Sequence, residues 1–254
     1  MRADPAQAGT VRGVHHYDPS QLWFQLEEIV EQRTYLRHGI RVGDGDVVLD
    51  IGANVGVAAV FFASECGAGL VHSFEPVPPL FELLRDNVAP LPACVPHHYG
   101  LGSESCRGQI TYYPGAASMS GLYADPETDR ALVRTVMLNY GLSEEEADKS
   151  LEGRYRAESV SCELRTLSGV LREQGLDWVD LLKIDVERAE LDVLLGLRDE
   201  DWSRIRQIVV EVHDERGRGA LVAQELLRRR FRITTEQEPL MRGTDVHMVY
   251  ATRG

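Results

Sequence analysis

Cysteine is scarce and unpatterned in this chain: Cys66, Cys94, Cys106 and Cys162 include no CxxC pair and no metal-ligand spacing. Their placement argues against a disulfide framework or a cysteine metal cluster and leaves reduced, packed thiols as the expectation. Long apolar runs are missing as well. None approaches the ~18 residues of a membrane span, and the small, polar first ten residues carry no apolar signal core. A soluble, cytoplasmic protein with no membrane partner is expected. Nor is there an excess of positive charge: 27 basic residues stand against 40 acidic ones, a formal charge of -13. A phosphate backbone would have to be bound against that field, so nucleic acid is not an expected partner.

What is present is a patterned α/β chain. Its 254 residues, 43% of them hydrophobic, suit a single domain over 1–254 with an N-terminal arm and helix in 1–40. The chain is organised around Val47 to Gly56, where an apolar strand runs into Asp50 and then into a turn built on Gly52, Ala53, Asn54 and Gly56. Glycines there allow the tight turn and leave room for a bound nucleoside to approach the backbone. A nearly continuous apolar strand belongs in a parallel sheet covered on both faces. The next strand, Leu70 to Phe74, ends in Glu75-Pro76, 25 residues beyond Asp50. An acid at that place can accept both hydroxyls of a ribose.

Two cofactors fit a ribose-binding acid after a glycine turn, a nicotinamide dinucleotide and S-adenosylmethionine. A diphosphate needs the GxGxxG pattern, and here the second glycine position holds Asn54 while Asp50 would repel the phosphates. A cofactor bearing an ammonium and a sulfonium is favoured by the same acid. S-adenosylmethionine is therefore the expected cofactor, with Asp50, Gly52, Asn54, Gly56 and Glu75-Pro76 as its expected neighbours.

The set Asp-Ile-Gly-Ala-Asn-Val-Gly at 50–56, Ser-Phe-Glu-Pro at 73–76, Leu-Lys-Ile-Asp-Val-Glu-Arg-Ala-Glu at 182–190 and Val-Glu-Val-His at 210–213 resembles the FkbM-type methyltransferases over about residues 30–252. The resemblance implies a Rossmann-like class I methyltransferase fold, with a mostly parallel seven-stranded sheet, helices on both faces and a final reversed strand. It implies O-methylation of a small-molecule hydroxyl on a sugar, polyketide or peptide natural product. Methylation of nitrogen or carboxylate stays open, as does a nicotinamide-dependent oxidoreductase. In that architecture adenine lies near the end of the third strand, which points to Gly102 and Ser103. Arg188 stands where the family usually has glycine, a bulky cation expected at the cleft's edge or in solvent.

Strand ends gather the chemistry. Val179 to Asp185 and Ile208 to His213 read as the fourth and fifth strands, and their carboxyl ends bring Asp185, Glu211 and His213 to Gly52. An alcohol with a pKa near 16 cannot be ionised by an aspartate near 4, since ~12 units at ~1.4 kcal/mol each is too much. Proton removal must accompany transfer, or a metal must acidify the hydroxyl. His213 is the expected base, with Asp185 either orienting it or binding the substrate hydroxyl. The alternative is Mg²⁺ held by Asp185 with Glu187 or Glu211. Lys183 is expected to pair with a neighbouring acid such as Glu211 rather than with substrate.

Other segments are placed by local signals. Residues 1–18 read as a loose arm in which His15 and His16 are solvated. Ser20 is the expected cap of a helix from Gln21 to about Arg33 that packs on the sheet or closes over the site. Between the strands around 109–113 and 159–164 lies a helical insert, 114–158, too long for a connector. It reads equally as a substrate lid or as a dimer contact, and Ala116 to Gly121 within it is a candidate to reach the site.

Overall fold

The computed structural model describes residues 10–253. Its strands are β1 (Val47–Ile51), β2 (Leu70–Phe74), β3 (Cys94–His97), β4 (Gly100–Leu101), β5 (Cys106–Tyr112), β6 (Glu158–Arg165), β7 (Val179–Ile184), β8 (Ile205–His213), β9 (Arg232–Glu236) and β10 (Val246–Thr252). Its α-helices are α1 (Pro19–Gln25), α2 (Val57–Ser64), α3 (Pro78–Val88), α4 (Pro126–Asn139), α5 (Glu144–Ser150), α6 (Leu167–Glu173), α7 (Glu190–Leu195) and α8 (Arg218–Arg228).

Seven strands form one sheet in the order β3-β2-β1-β7-β8-β10-β9. The run from β3 to β8 is parallel, and β10 lies antiparallel to both its neighbours. This is the expected mostly parallel sheet with one reversed strand. Because side chains alternate along a strand, Val48 joins an apolar core with α2 and α3 while Leu49 and Ile51 join a second core with α6, α7 and α8. The two cores bury β1 and β7 on both faces, which is why these strands are apolar apart from Asp50 on β1 and Asp180 and Lys183 on β7.

A second, three-stranded sheet, β4-β6-β5, stands beside the first. The third strand stops at His97, and Gly100–Leu101 turns away to pair with β6. The hairpin of β5 and β6 carries the insert with α4 and α5. Asp125 and the Ser143–Glu146 capping box start these two helices, as their sequences specify.

The N-terminal segment departs from expectation. Residues 1–9 of the predicted arm lie outside the described residues. Val11 and Val14 are buried, and Asn87 holds the backbone of His15 through its amide, so the stretch from residue 10 is packed rather than loose. His16 is not simply solvated either, since its Nδ1 accepts the Asp18 N–H at 2.9 Å. Asp18, not Ser20, caps the first helix, accepting the Ser20 N–H at 2.8 Å. After Gln25 the helix widens into a π-helical turn, Leu26–Glu31. Such turns recur at functional sites because the extra residue re-aims side chains.

The turn after β1 has little room. Gly52 has φ +75° and sits so close to β7's end that a Cβ there would lie 1.8 Å from the Asp185 carbonyl oxygen. Gly141, at φ +104°, has open space around its missing Cβ. Gly52→Ala is expected to cost more than ~3 kcal/mol of stability, while Gly141→Ala costs only the ~1 kcal/mol of a strained φ. Equal shifts of the two variants in chemical denaturation would contradict this packing.

Candidate active site

The site rests on a buried cation. β7 is buried along its whole length yet carries Lys183. An unpaired ammonium there would cost several kcal/mol. Lys183 Nζ lies 3.1 Å from Asp50 Oδ1 and donates to the carbonyls of Gly52 at 2.8 Å and Ile51 at 3.3 Å. Asp185 Oδ2 stands 3.8 Å away, and the Tyr35 ring lies 5.3 Å from the nitrogen. Burial alone would lower the lysine's pKa, but the charges of Asp50 and Asp185 outweigh it and raise the pKa.

The partner of Lys183 is therefore Asp50, not the expected Glu211. Parallel register explains it, because Asp50 and Lys183 are direct neighbours on β1 and β7. Asp50 is fully buried by this pairing and does not line the cavity. Its contribution to a ligand is indirect: with Lys183 it fixes the carbonyls of the glycine turn.

Glu75 is held just as firmly. Its Oε2 accepts the Asn54 N–H at 2.9 Å and its Oε1 accepts the Val77 N–H at 2.8 Å. Asn54 reaches it from a left-handed conformation, φ +50°, which asparagine tolerates better than most residues. Burial raises the Glu75 pKa to about 7, opposed by those two backbone donors. Each carboxylate oxygen keeps a free lone pair on the cavity side, which suits a vicinal diol. Pro76, Val77 and Leu101 add apolar walls beside it. The expected adenine neighbours Gly102 and Ser103 do not line the cavity; Gly100 and Leu101 do, because the chain turns away at β4. Gly56 stays behind the wall as well, packed on Leu84.

From this slot a cavity of about 350 Å³ runs past Asp185 into a second chamber. Phe24 of α1, Leu132, Val133, Val136 and Met137 of α4, and Met241 give that chamber apolar walls. Ala116 to Gly121 form part of the lining, as the sequence suggested. The N-terminal helix and the insert meet over the cavity: Arg154 pairs with Asp18 at 3.1 Å, and Ser118 donates to Gln21. Trp23 and Tyr140 cross edge to face, ring centres 5.9 Å apart, with about half of each ring in solvent.

Acids crowd the junction of the two chambers. Asp185 Oδ2 accepts the Tyr35 hydroxyl at 2.8 Å. Glu28, from the π-helical turn, and Glu211, from β8, also line the cavity. Neither has a hydrogen bond or ion pair among the described residues. Burial, then the charge of Asp185, raises the Glu28 pKa to about 8. The same causes, with Glu28 added, push Glu211 well above the carboxylate range.

His213 is not placed as a free base. Its Nδ1 is 3.0 Å from Glu190 Oε1 and its Nε2 is 3.1 Å from Glu187 Oε2. Burial would lower its pKa, but Glu187 and Glu190 overcome that and raise it well above the usual imidazole value. With Nδ1 facing Glu190 and Nε2 facing Glu187, neither ring nitrogen is turned toward an acceptor hydroxyl. Glu28 and Tyr35, absent from the sequence-based expectations, thus belong to the site, and Glu190, the last residue of the 182–190 motif, stands behind His213.

Arg188 is likewise neither at the cleft's edge nor in solvent. It is 2% exposed, its NH1 lies 2.6 Å from Asp129 Oδ1 of α4 and its Nε 3.2 Å from Glu215 Oε1. Tyr113 donates to the other oxygen of Asp129 at 2.9 Å. Glu187 and Arg188 both have positive φ, 50° and 73°, so the chain reverses hand just after β7, and α7 begins only at Glu190. Glu187 turns into the cavity and Arg188 pins the insert to the body.

The described geometry has counterparts among known proteins. The methyltransferase FkbM domain model matches residues 50–233. The 31-O-demethyl-FK506 methyltransferase FkbM of Streptomyces tacrolimicus is 39% identical over 242 residues, covering 94% of this chain and 93% of that protein. A segment of the AMB antimetabolite synthetase AmbE of Pseudomonas aeruginosa is 39% identical over 244 residues, 91% of this chain but 12% of that protein. The crystal structure of methyltransferase FkbM from Methylobacillus flagellatus KT superposes with a TM-score of 0.52 at 16% identity, over 85% of this chain and 46% of the other, a likeness of fold.

Removing one partner of a buried ion pair leaves the other charge stranded, at ~3–5 kcal/mol. Asp129→Ala is expected to fall in that range by urea denaturation. Glu215→Ala, whose side chain is 37% exposed, should cost under ~1 kcal/mol. The reverse ranking would show that Arg188 does not depend on α4.

Proposed function

Because the chain belongs to the FkbM methyltransferase family, we propose that it is an S-adenosylmethionine-dependent O-methyltransferase acting on a hydroxyl of a small molecule with an apolar body. The observation that carries this reading is the single cavity that joins the Glu75 slot to the apolar chamber across Asp185. A polyketide or apolar peptide fits such walls better than a bare sugar does. The Streptomyces relative is a 31-O-demethyl-FK506 methyltransferase by name. Unpaired Glu28 and Glu211 would also suit an amine acceptor, the second reading, and the position of the methyl group in the product separates the two.

S-adenosylmethionine would supply an electrophilic methyl group. Glu75 would accept the two ribose hydroxyls, and Pro76, Val77 and Leu101 would flank the base. Asp185, braced by Tyr35 and Lys183, would set the acceptor oxygen at the chamber junction. Such positioning can contribute roughly 7–11 kcal/mol to a displacement reaction. Glu28 would take the hydroxyl proton as the acceptor oxygen displaces the cofactor's thioether sulfur from the methyl carbon. A carboxylate with a pKa of about 8 accepts that proton far better than an ordinary one near 4, while still being partly ionised at neutral pH.

Calorimetric titration with S-adenosylhomocysteine tests the nucleoside half. Wild-type protein should bind, and Glu75→Ala should lose binding while keeping its circular dichroism spectrum. Since the ionised Glu75 is the better acceptor for the diol, affinity should fall as pH drops below about 7, by at most about tenfold per unit. Absence of binding by the folded wild type would end the methyltransferase assignment.

Glu28→Gln tests the other half. It should lower kcat by ~10²–10⁴ and leave S-adenosylhomocysteine affinity intact. For the wild type, kcat should fall as pH drops through about 8 and the base takes up its proton. A variant with unchanged kcat and pH profile would remove Glu28 from the chemistry.

A further inference from the structure

Glu187, Glu211 and His213 form a second group of ligating side chains at the chamber junction. One ligand atom of each, two carboxylate oxygens and one imidazole nitrogen, lie within 4.8 Å of one another. All three residues line the cavity. We propose that these three side chains bind one divalent transition-metal ion, of the Mn²⁺, Fe²⁺ or Zn²⁺ class, that faces the acceptor chamber.

Three observations support the site. The first is an orphan acceptor. Glu187 is 8% exposed, and its Oε2 meets no donor other than His213 Nε2, 3.1 Å away in a poorly aligned contact, so that an ion bound between them would displace the imidazole proton. The two atoms are close but not aligned with each other, which is how two ligands of a common third atom stand. The second is the far side of the imidazole. Glu190, 1% exposed, takes the Nδ1 proton at 3.0 Å and is itself fixed by the Arg188 N–H at 2.8 Å. A metal-ligating histidine almost always donates its other N–H to such a group, which fixes the tautomer and turns the second nitrogen toward the ion. The third is Glu211, whose carboxylate faces the cavity with no hydrogen bond or ion pair among the described residues.

The geometry needs a small adjustment. Ligand atoms ~2.1 Å from one ion are at most ~4.2 Å apart, so the widest pair must close by about half an ångström. Glu211 is free to supply that by a side-chain rotation, because no polar partner holds it. Three protein ligands leave open positions for water or an acceptor oxygen. Imidazole among the ligands selects a transition metal, whereas an all-oxygen set would suit Mg²⁺. The set thus differs from the one expected from sequence, with His213 in the place of Asp185, whose Oδ2 is taken by Tyr35 and Lys183.

The ion's role in methyl transfer, holding and acidifying the acceptor hydroxyl, rests on the function proposed above; its binding does not. The test accordingly uses the metal alone. Chelator-treated full-length protein is titrated with Mn²⁺, bound ion being followed by electron paramagnetic resonance and by calorimetry, in the absence of nucleoside. One Mn²⁺ per chain is expected, bound at least tenfold more tightly than Mg²⁺. Glu211→Gln, at a side chain with no partner to lose, should weaken it more than tenfold with an unchanged circular dichroism spectrum. Glu190→Gln should weaken it about 10–100-fold through the orientation of His213. No stoichiometric Mn²⁺ or Zn²⁺ binding by the folded wild type would overturn the proposal, as would binding unaffected by Glu211→Gln or a preference for Mg²⁺. S-adenosylhomocysteine binding, measured separately, shows whether the nucleoside site stands when the metal site fails, or the reverse.

Discussion

The ammonium of Lys183 is the point from which the site is laid out. Held between the ends of β1 and β7, it contacts one carboxylate at 3.1 Å, a second at 3.8 Å and two carbonyl oxygens of the glycine turn. Low-dielectric surroundings make these contacts strong and make their loss costly. The turn must therefore stay where Lys183 holds it. From that fixed turn Asn54 reaches Glu75, and Asp185 is left facing the cavity with Tyr35 behind it. Burial of one charge thus orders three loop regions that lie far apart in sequence.

A second tier is less rigid and more particular to this chain. Segments outside the main sheet build the walls of the acceptor chamber, α1 with its π-helical turn on one side and the 114–158 insert on the other. Each also lends a residue to the core beside the sheet, Ile29 from the π-helical turn and Ala117 from the insert. Leu132 and Val133 of α4 pack in a small cluster apart from the two cores of the sheet, whereas the acids at the junction are supplied partly by the strands. The division separates the Glu75 slot, set by the strand ends, from the apolar walls, set by the added helices.

Much of this was legible in the sequence, for physical reasons that differ residue by residue. An apolar strand, a turn that tolerates only small residues and an acid 25 residues on are local signals, and they located Gly52 and Glu75. Asp125 and the Ser143–Glu146 box are local as well, and the helices start where they say. Lys183 was assigned the wrong partner because its neighbour is set by strand register across 133 positions, which no local pattern encodes. His213 looked like a base because its contact with Glu190, at the start of α7 and 23 residues upstream, is invisible to a strand-face argument. Glu28 was missed since an α-helical wheel does not anticipate a π-helical turn. Arg188 broke the rule that a left-handed position prefers glycine, and its compensation lies 59 residues upstream at Asp129.

The dipeptide Glu187-Arg188 has a thermodynamic consequence. Both residues hold a conformation that costs roughly 1–3 kcal/mol each, and they face opposite ways, one into the cavity and one into the root of the insert. Relaxing either backbone angle moves both side chains. Whatever stabilises Glu187 in the cavity then also stabilises the docked α4, and whatever docks α4 pre-forms the cavity. By linkage the two effects must be equal in free energy. Occupancy of the junction and closure of the chamber are in this way one equilibrium, written twice in adjacent residues.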